Sequence, residues 1–471
     1  MRVLENINPK NVMRFFEDLC SIPHGSGNTD KISEYCVNFA KTHHLEYTKD
    51  DMNNCIIKKP ASKGFEGKSP VILQAHLDMV CEKTPDCNIN FETDPIEIMV
   101  EGDFITANGT TLGGDDGIGV AMILAILADN NLPHPSIEAL FTTDEETGMF
   151  GAAALDGNLL NGRTMINIDS EDEGILTVSC AGGARCEIRI PAKKSPISAP
   201  CFKIVVEGLK GGHSGVEIHK GRHNSNILLG KLLSEIKGEY SILEISGGSK
   251  DNAIPARSIL KISTTCNLKE LVKDFESKNK TDEEPDLKIL LTEISEQGNG
   301  FTPEDSLKIT EFLCSAPNGV QKMSADIKGL VQTSLNLGIL TTEDTGIYLT
   351  FSVRSSVNSE KTELLEALKG MTEKSGGSFE DSAHYPAWEY KKDSHLREVM
   401  VDEYQKLTGK KPVVEAIHAG LECGLLSDKL PGLDAVSFGP DMEEIHTPNE
   451  RLSISSVERS YTYLCKILEN L

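Results

Sequence analysis

The segment between residues 71 and 169 decides the fold, because four short blocks within it carry histidine, aspartate and glutamate. The blocks are QAHLDM at 74–79, TLGGDDGIG at 111–119, TTDEETG at 142–148 and INIDSEDEG at 166–174. Apolar runs typical of buried strands accompany three of them, at 71–73, 137–141 and 165–168. Parallel strands of an open α/β sheet place functional residues at their carboxyl ends. We therefore expect one rim of the sheet to carry His76, Asp78, Glu145, Glu146 and Asp169.

Asp115 lies in the glycine-flanked second block, directly before an apolar stretch at 117–127 that predicts a buried helix. Asp115 and the rim residues together would place one imidazole and several carboxylates close to one another. Carboxylates a few ångströms apart repel each other, and one of them takes up a proton unless a cation is present. Mixed His and Asp/Glu ligands suit zinc, with manganese or cobalt as alternatives. Four unrelated, solvated loops are the other interpretation, which the succession of four such blocks disfavours.

The spacing within two of the blocks suggests different roles for neighbouring residues. His76 and Asp78 are two residues apart, so their side chains point the same way on an extended strand. His76 can then bind a metal while Asp78 holds its other ring nitrogen; a buried hydrogen-bonded pair is the alternative. Glu145 and Glu146 are adjacent, so their side chains diverge and can take different roles. They could also both be ligands, or charges on an exposed turn.

The glycines of the second block also permit a phosphate-binding loop, since they let the backbone approach a ligand closely. The block lacks the lysine of a P-loop, however, and carries Asp115 and Asp116 where phosphate would lie. The sequence therefore favours a metal ligand at Asp115. Asp116 adds negative charge without an assigned ligand role.

Composition excludes several classes of protein. A chain of 471 residues exceeds one usual core, so two domains are expected. The formal net charge of −25 disfavours nucleic acid as a partner, because phosphate binding needs clustered Lys and Arg. The sequence has no apolar run long enough to span a membrane and no apolar signal core, so we expect a cytoplasmic protein without a membrane partner. In that compartment its 12 cysteines are expected to be reduced thiols.

The order of predicted elements indicates a domain inserted into another. After Gly183 strands and helices alternate without further blocks of the metal type. We predict a catalytic domain at 1–184 and 384–471 and an inserted lid at 185–383. Runs at 413–417 and 435–438 are predicted to add strands to the first sheet, and 86–103 to form a hairpin-like surface excursion. Further helices are predicted at 11–19, 29–43, 224–236, 268–277, 361–372, 395–407 and 456–468.

The blocks resemble those of the co-catalytic zinc exopeptidases, and most of all the aminoacyl-histidine dipeptidases among them. The motifs that carry the resemblance are HLDMV, GTTLGGDDGIG, DEETGMFGA and GLKGGHSGVEIH. The resemblance extends from about residue 8 to residue 471. It implies an α/β catalytic domain with a mixed, largely parallel sheet flanked by helices, and an α+β lid that forms a homodimer.

The resemblance also implies roles at the rim of the sheet. Two zinc ions per subunit would be held about 3.5–4 Å apart by Asp115 as the bridging ligand. His76 and Asp169 would complete one metal, and Glu146 and His446 the other. Asp78 would orient His76, and Glu145 would be the general base. A cis peptide bond is implied between Asp115 and Asp116.

A second set of implied residues lies in the lid and near the carboxyl terminus. His213, in GGHSG, would reach across the dimer interface into the partner's active site and stabilise the oxyanion, with His219 as the alternative. Asn252 and Arg354 match positions that bind the substrate's free carboxylate, for which the planar fork of arginine is suited. A structural salt bridge is the alternative for Arg354. Glu422 is a candidate contact for the free amine.

The sequence thus predicts a metallo-dipeptidase, with Xaa-His dipeptides as the preferred substrates. A carboxypeptidase or N-acyl amino acid deacylase with the same metals is the alternative. A non-catalytic binding protein that kept the fold is a more distant one, disfavoured because no expected ligand or base is missing.

Overall fold

The computed structural model describes residues 2–471 and divides the chain into two compact units. Unit 1 contains the chain up to Ser179 together with Tyr390–Ala416 and Leu421–Leu471. Unit 2 contains Cys180–Glu389 and the short stretch Ile417–Gly420. The sequence prediction placed the inserted part at 185–383 and did not include 417–420.

Unit 1 is built from helices and strands contributed by both ends of the chain. Its helices are α1 (Lys10–Cys20), α2 (Asp30–Thr42), α3 (Gly114–Ala128), α4 (Phe150–Ala154), α9 (His395–Thr408), α10 (Glu422–Lys429) and α11 (Ile454–Asn470). Its strands are β1 (Glu46–Lys49), β2 (Cys55–Lys59), β3 (Val71–His76), β4 (Ile98–Glu101), β5 (Phe104–Ala107), β6 (Ile137–Thr142), β7 (Thr164–Asn167), β8 (Ile175–Cys180), β22 (Val413–Ile417), β23 (Asp434–Ser437), β24 (Met442–Glu443) and β25 (Arg451–Ser453).

The main sheet of unit 1 has eight strands in the order β1-β2-β6-β3-β7-β23-β8-β22. The four central strands, β6, β3, β7 and β23, are parallel to one another. Strands β1, β2 and β8 pair in the antiparallel sense. This is the predicted α/β class with a mixed, largely parallel sheet, and the predicted strands β22 and β23 do belong to it. The parallel centre brings the carboxyl ends of β3, β6 and β7 to one rim.

Helix α3 fixes the position of the glycine-rich block. Every residue from Gly114 to Leu127 is buried, as expected for a helix that is apolar on all sides. The helix contacts α1, α11 and β3. Its amino-terminal end therefore presents the Asp115 loop at a defined place beneath the rim.

A separate sheet of four strands, in the order β24-β25-β5-β4, lies in unit 1. The hairpin predicted at 86–103 was placed too early, because its strands are β4 and β5 and their turn lies at Gly102 and Asp103. The acidic residues before Ile98 form turns and irregular backbone instead. Strand β25 pairs with β5 and so ties the segment after His446 to the body of the unit.

Unit 2 has a sheet of nine strands, in the order β16-β11-β15-β13-β19-β20-β9-β21, with β18 paired to β19. Its strands are β9 (Gly182–Pro191), β10 (Lys194–Pro196), β11 (Cys201–Glu207), β12 (Gly212–His213), β13 (Tyr240–Gly247), β14 (Ala253–Ile254), β15 (Ser258–Thr264), β16 (Lys288–Ile294), β17 (Asn299–Phe301), β18 (Gly319–Met323), β19 (Val331–Glu343), β20 (Gly346–Ser355) and β21 (Ser378–Tyr385). Its helices are α5 (Ser225–Glu235), α6 (Leu268–Asn279), α7 (Pro303–Ser315) and α8 (Asn358–Lys374). Apolar residues of the sheet and of these helices share one core.

The sequence did not predict α7 or the strands from β16 to β19. Thr302 caps α7 through the amide of Asp305, and a proline occupies its first turn. No disulfide joins any of the 12 cysteines, all of which lie among the described residues, in line with the prediction of reduced thiols. Among residues 2–471, no helix is both long and apolar enough to cross a membrane.

Candidate metal centre and active site

The rim of the unit 1 sheet gathers the residues that the sequence blocks predicted there. Strand β3 ends at His76, β6 ends three residues before Glu145, and β7 ends two residues before Asp169. Because β3 lies between β6 and β7 with parallel pairing, these three ends are neighbours. The side chains that follow them converge as expected for parallel strands.

The carboxylate of Asp115 stands between two imidazoles. Its Oδ1 lies 3.1 Å from Nε2 of His76, and its Oδ2 lies 3.2 Å from Nε2 of His446. The two imidazoles come from segments far apart in the chain. One carboxylate thus contacts both rings through different oxygens, which is the arrangement a bridging ligand requires.

A second carboxylate accompanies each imidazole. Nε2 of His76 is 3.5 Å from Oδ1 of Asp169, and Nε2 of His446 is 2.9 Å from Oε1 of Glu146. Three groups of donor atoms within 4.8 Å of one another could hold a metal ion. They are His76, Asp116 and Asp169; His76, Glu145 and Glu146; and Asp115, Glu146 and His446.

The electrostatics of these groups show how strongly the acids oppose one another. Burial, with the charges of Asp169, Glu422 and Glu146, raises the pKa of Glu145 to about 9. Burial and the nearby Asp115 also raise the pKa of Asp169 to about 6. Hydrogen bonds with Asp115 and Glu146 raise the pKa of His446 to about 10. The repulsion among these carboxylates is reduced when the imidazoles are protonated, or when cations bind where those protons would be.

Asp78 contacts the ring of His76 mainly through its backbone carbonyl oxygen, whereas the sequence predicted a contact through its carboxylate. Nδ1 of His76 lies 2.9 Å from the backbone carbonyl oxygen of Asp78 and 3.5 Å from its carboxylate. The carboxylate instead accepts the backbone amides of Glu145 at 3.0 Å and Glu146 at 3.3 Å, and the hydroxyl of Ser26 at 2.7 Å. Asp78 therefore holds both the ring of His76 and the turn that carries the two glutamates.

Asp116 is fully buried and joined to Asp115 by a cis peptide bond, as the resemblance implied. Its Oδ2 accepts the backbone amide of His76 at 3.2 Å, whereas its Oδ1 has no partner. Burial, together with the charge of Asp169, raises the pKa of Asp116 well above its usual range. The side chain thus supports the β3 end from below rather than facing solvent.

Glu422 begins α10 and is 1% exposed. Its Oε2 accepts hydrogen bonds from Nε2 of Gln74 at 2.7 Å and from the hydroxyl of Thr142 at 2.6 Å. Its Oε1 has no partner. Burial raises the pKa of Glu422 to about 7, and the charges of Asp169 and Asp78 add to that effect. One oxygen is thus fixed to two strands and the other is free for a ligand.

His213 lies on β12 in unit 2, and its hydrogen bonds indicate which ring nitrogen carries the proton. The backbone amides of Gly215 and Val216 donate to its Nδ1 at 3.1 and 3.2 Å, so the proton is on Nε2. Burial and the nearby Arg354 lower the pKa of His213, which keeps the ring neutral. The ring therefore offers one N–H donor at Nε2.

Arg354 is 8% exposed, and no Asp or Glu among the described residues pairs with its guanidinium. Its Nη1 donates to the hydroxyl of Tyr385 at 2.8 Å, and its Nε has no partner. The ring of Tyr385 lies over Gly183, where any side chain would overlap it. A buried guanidinium without a counter-charge calls for an anionic ligand. The salt-bridge alternative for Arg354 is therefore wrong.

The other two predicted residues of unit 2 are exposed, Asn252 on a turn and His219 in a short 3-10 helix. Asn252 accepts the backbone amide of Ser214 at its carbonyl oxygen, 2.8 Å away, so it adjoins the segment of His213. His219 is exposed and lines a cavity of about 570 Å³ that also contains Arg222 and Asn336. The structure thus brings the segments of His213 and Asn252 together, whereas His219 lines a cavity that neither of them lines.

Comparison with known proteins identifies the family of this chain. The model of peptidase family M20/M25/M40 matches residues 72–470. The chain belongs to this family. It is 36% identical to the cytosol non-specific dipeptidase of Escherichia coli strain K12, across 100% of this chain and 99% of that protein.

Solved structures show the same fold for this M20 peptidase. The crystal structure of aminoacylhistidine dipeptidase from Vibrio alginolyticus superposes with a TM-score of 0.95 at 36% identity, over 99% of this chain and 98% of that one. Aminopeptidase PepT from Bacillus cereus superposes with a TM-score of 0.58 at 17% identity, over 98% of each chain, and shares the fold. As a member of a peptidase family the chain is a hydrolase of peptide bonds.

Three features of this M20 peptidase escaped the sequence prediction. Tyr385 is the hydrogen-bond partner of Arg354, and a tyrosine at a strand end gives no signal of that. A buried polar layer lies directly below the rim, where the amide of Asn167 donates to Gln74 and Gln74 donates to Glu422. Glu450 binds the glycine-rich block through backbone amides. That contact could have been suspected, because a loop of free amides attracts an anion.

Proposed function

We propose that this M20 peptidase is a dipeptidase that uses two divalent metal ions and prefers Xaa-His substrates, with activity on other dipeptides. The observation that carries the proposal is the carboxylate of Asp115 between the imidazoles of His76 and His446. The printed names of the two most similar proteins reported above support dipeptide substrates, and one of them names aminoacyl-histidine.

The residues at the rim fit two divalent ions. One ion would be held by His76, Asp115 and Asp169, and the other by Asp115, Glu146 and His446. Each set combines one imidazole with carboxylates, which suits zinc and also manganese or cobalt. Burial and neighbouring carboxylates raise the pKa values of both Asp169 and Glu145. Cations bound beside these acids would stabilise their ionised forms. When bound, the ions would polarise the peptide carbonyl and the attacking water.

The residues of the chain would then move and hold protons. Glu145 would take a proton from the attacking water at its carboxylate and give it to the leaving nitrogen as the C–N bond breaks. The hydrogen bond from the backbone amide of Glu145 to Asp78 fixes the backbone that carries this side chain. The Nε2–H of His213 would donate to the oxygen that becomes negative.

Recognition of both substrate termini would limit the enzyme to dipeptides. Arg354 would pair with the free carboxylate through its unpartnered Nε edge, with Asn252 beside it. Glu422 would accept the free amine at Oε1. Asp116 is a weaker candidate for the amine, because it is fully buried and its Oδ2 holds the backbone amide of His76.

A substrate panel tests the proposal. With zinc or manganese present, we expect hydrolysis of Ala-His, β-alanyl-His and Ala-Leu, with Xaa-His favoured. Amidation of the carboxylate or acetylation of the amine should lower kcat/KM about 10- to 100-fold, the equivalent of one lost charged hydrogen bond. Faster turnover of N-acyl amino acids than of free dipeptides would establish the deacylase alternative instead.

Two arginine variants, one at the proposed carboxylate site and one as its matched control, extend that panel. Arg354→Ala should remove most of the preference for a free carboxylate over its amide. Arg257→Ala should keep the preference, since Arg257 is an exposed arginine of unit 2 that faces Glu207 at 3.5 Å. Equal preferences in both variants would remove Arg354 from the carboxylate site.

Metal content gives a second, independent prediction. After reconstitution and desalting, we expect about two ions per chain by mass spectrometry of the metals. Asp115→Ala should lower that number, because its two oxygens contact both imidazoles. Asp172→Ala, which removes an exposed acid three positions after Asp169, should leave that number unchanged. Only trace metal in the wild-type protein would refute the proposed centre.

Homodimer formation through the lid and the cytoplasmic location remain predictions. The name of the Escherichia coli relative includes the word cytosol, which supports the second of them.

A further inference from the structure

Glu450 occupies a cradle of backbone amides at the glycine-rich block. Its Oε2 accepts the amides of Leu112 at 2.7 Å and Gly113 at 3.2 Å. Its Oε1 accepts those of Gly114 at 2.8 Å and Asp115 at 3.4 Å. Four successive amides therefore point at one carboxylate that is 3% exposed.

The shape of this loop is that of an anion-binding nest. Gly113 has a φ of 72°, in the left-handed region, which turns successive amides towards the same side. The loop overlaps the first residues of α3, where Asp115 and Asp116 depart from helical geometry, and the amino-terminal end of a helix favours negative charge. The glycines that could have cradled a phosphate hold a carboxylate of the same chain instead.

No lysine, arginine or histidine of the described residues forms an ion pair with Glu450. Its charge is therefore balanced by amide hydrogen bonds, which are strong when the acceptor is ionised. Glu450 also directly precedes β25, which pairs with β5. The carboxylate is thus anchored at its own backbone as well as at the loop.

We propose that Glu450 is a positioning residue that sets the Asp115 loop against the His446 loop and so fixes the distance between the two metal sites. Glu450 lies four positions after His446, and the amide of Glu450 donates to the carbonyl of Thr447 at 3.1 Å, which closes that turn. The same side chain holds the backbone of Asp115, whose carboxylate faces His446 at 3.2 Å. The inference rests on the metal centre proposed above.

Metal binding to Glu450→Gln tests this role. Glutamine keeps the shape but brings an NH₂ group towards amide donors, so we expect metal affinity by calorimetry to fall about 10- to 100-fold. Glu458→Gln, an exposed glutamate on α11, is the matched control and should bind metal as the wild type does. If wild-type protein binds no metal, the proposed centre fails. If it binds and Glu450→Gln binds equally well, only the role of Glu450 fails.

Chemical rescue separates positioning from general stability. Glu450→Ala leaves room for a small carboxylate, so acetate should restore metal affinity while acetamide should not. Equal effects of acetate and acetamide, or no effect of either on a folded variant, would overturn the proposal. Should Glu450→Ala not fold, the rise in Tm on adding metal to Glu450→Gln is measured instead. That rise should be smaller than in the wild type, and an equal rise would count against the proposal.

Discussion

Replacing Glu145 by alanine or glutamine is expected to lower kcat about 10²- to 10⁴-fold while the metal content stays unchanged. Glu145 is not one of the closest contacts of the Nε2 atom of either imidazole, which are Asp115, Asp169 and Glu146. Its loss should therefore spare the ions and remove the proton carrier. The raised pKa of about 9 shows a carboxyl that holds a proton readily, and cations beside it would bring that pKa down towards neutrality.

Two measurements are needed to interpret the Glu145 variants. Metal content by mass spectrometry must match the wild type, and kcat must be compared at saturating substrate. Asp144→Asn is the neighbouring control, because Asn retains the acceptor that binds the amide of Gly27. Its rate should stay within a few-fold of normal. Near-normal turnover of Glu145→Ala would assign proton transfer to another group.

The second large effect is expected for His213→Ala, with a loss of about 10²- to 10³-fold in kcat for a lost oxyanion donor. The stronger test mixes this variant with Glu145→Ala. A mixed dimer would contain one site with both an intact Glu145 and an intact His213, if each lid serves the partner's site. Activity should then return towards about half of normal per mixed dimer, from the symmetry of a twofold assembly.

Differently tagged chains show whether mixed dimers have formed, and each variant treated alone gives the background rate. Recovery supports a shared site and also the dimer itself. Mixed dimers without recovery would place His213 in the site of its own chain or give the role to another residue. His219→Ala is the direct comparison, and it should keep its rate because His219 is exposed and lines a different cavity.

Local patterns were sufficient to predict the sheet and the rim of unit 1. The apolar runs before His76 and Glu145 and the run that leads to Asp169 are short and bounded by polar residues, so strand periodicity identified them. The parallel arrangement then followed from general rules of α/β sheets. Asp115 was marked by its glycines. His446 carried no such signal, and only the family resemblance pointed to it.

What the sequence did not predict depends on contacts between distant residues. Gln74 lies 348 positions from Glu422, so nothing local indicates that its amide binds that carboxylate. Glu450 is 338 positions from Leu112, and a glutamate before a short strand is usually a surface residue. The glycine loop suggested a phosphate site, which its two aspartates disfavour. Its sequence does not indicate that a carboxylate of the same chain binds there. Tyr385 and Arg354 meet because their strands both flank β9, a pairing that no periodicity reveals.

The position of β23 in the main sheet has a consequence for how the protein is made. This strand lies between β7 and β8, although it is translated after all of unit 2. At 5–20 residues per second, the ribosome needs on the order of 10–50 s to travel from β8 to β23. During that interval β7 and β8 lack the strand that lies between them, and His446 has not yet been synthesised. If His446 is a metal ligand as proposed, the nascent chain cannot cleave peptides until synthesis has passed the last strand of this sheet and reached that residue.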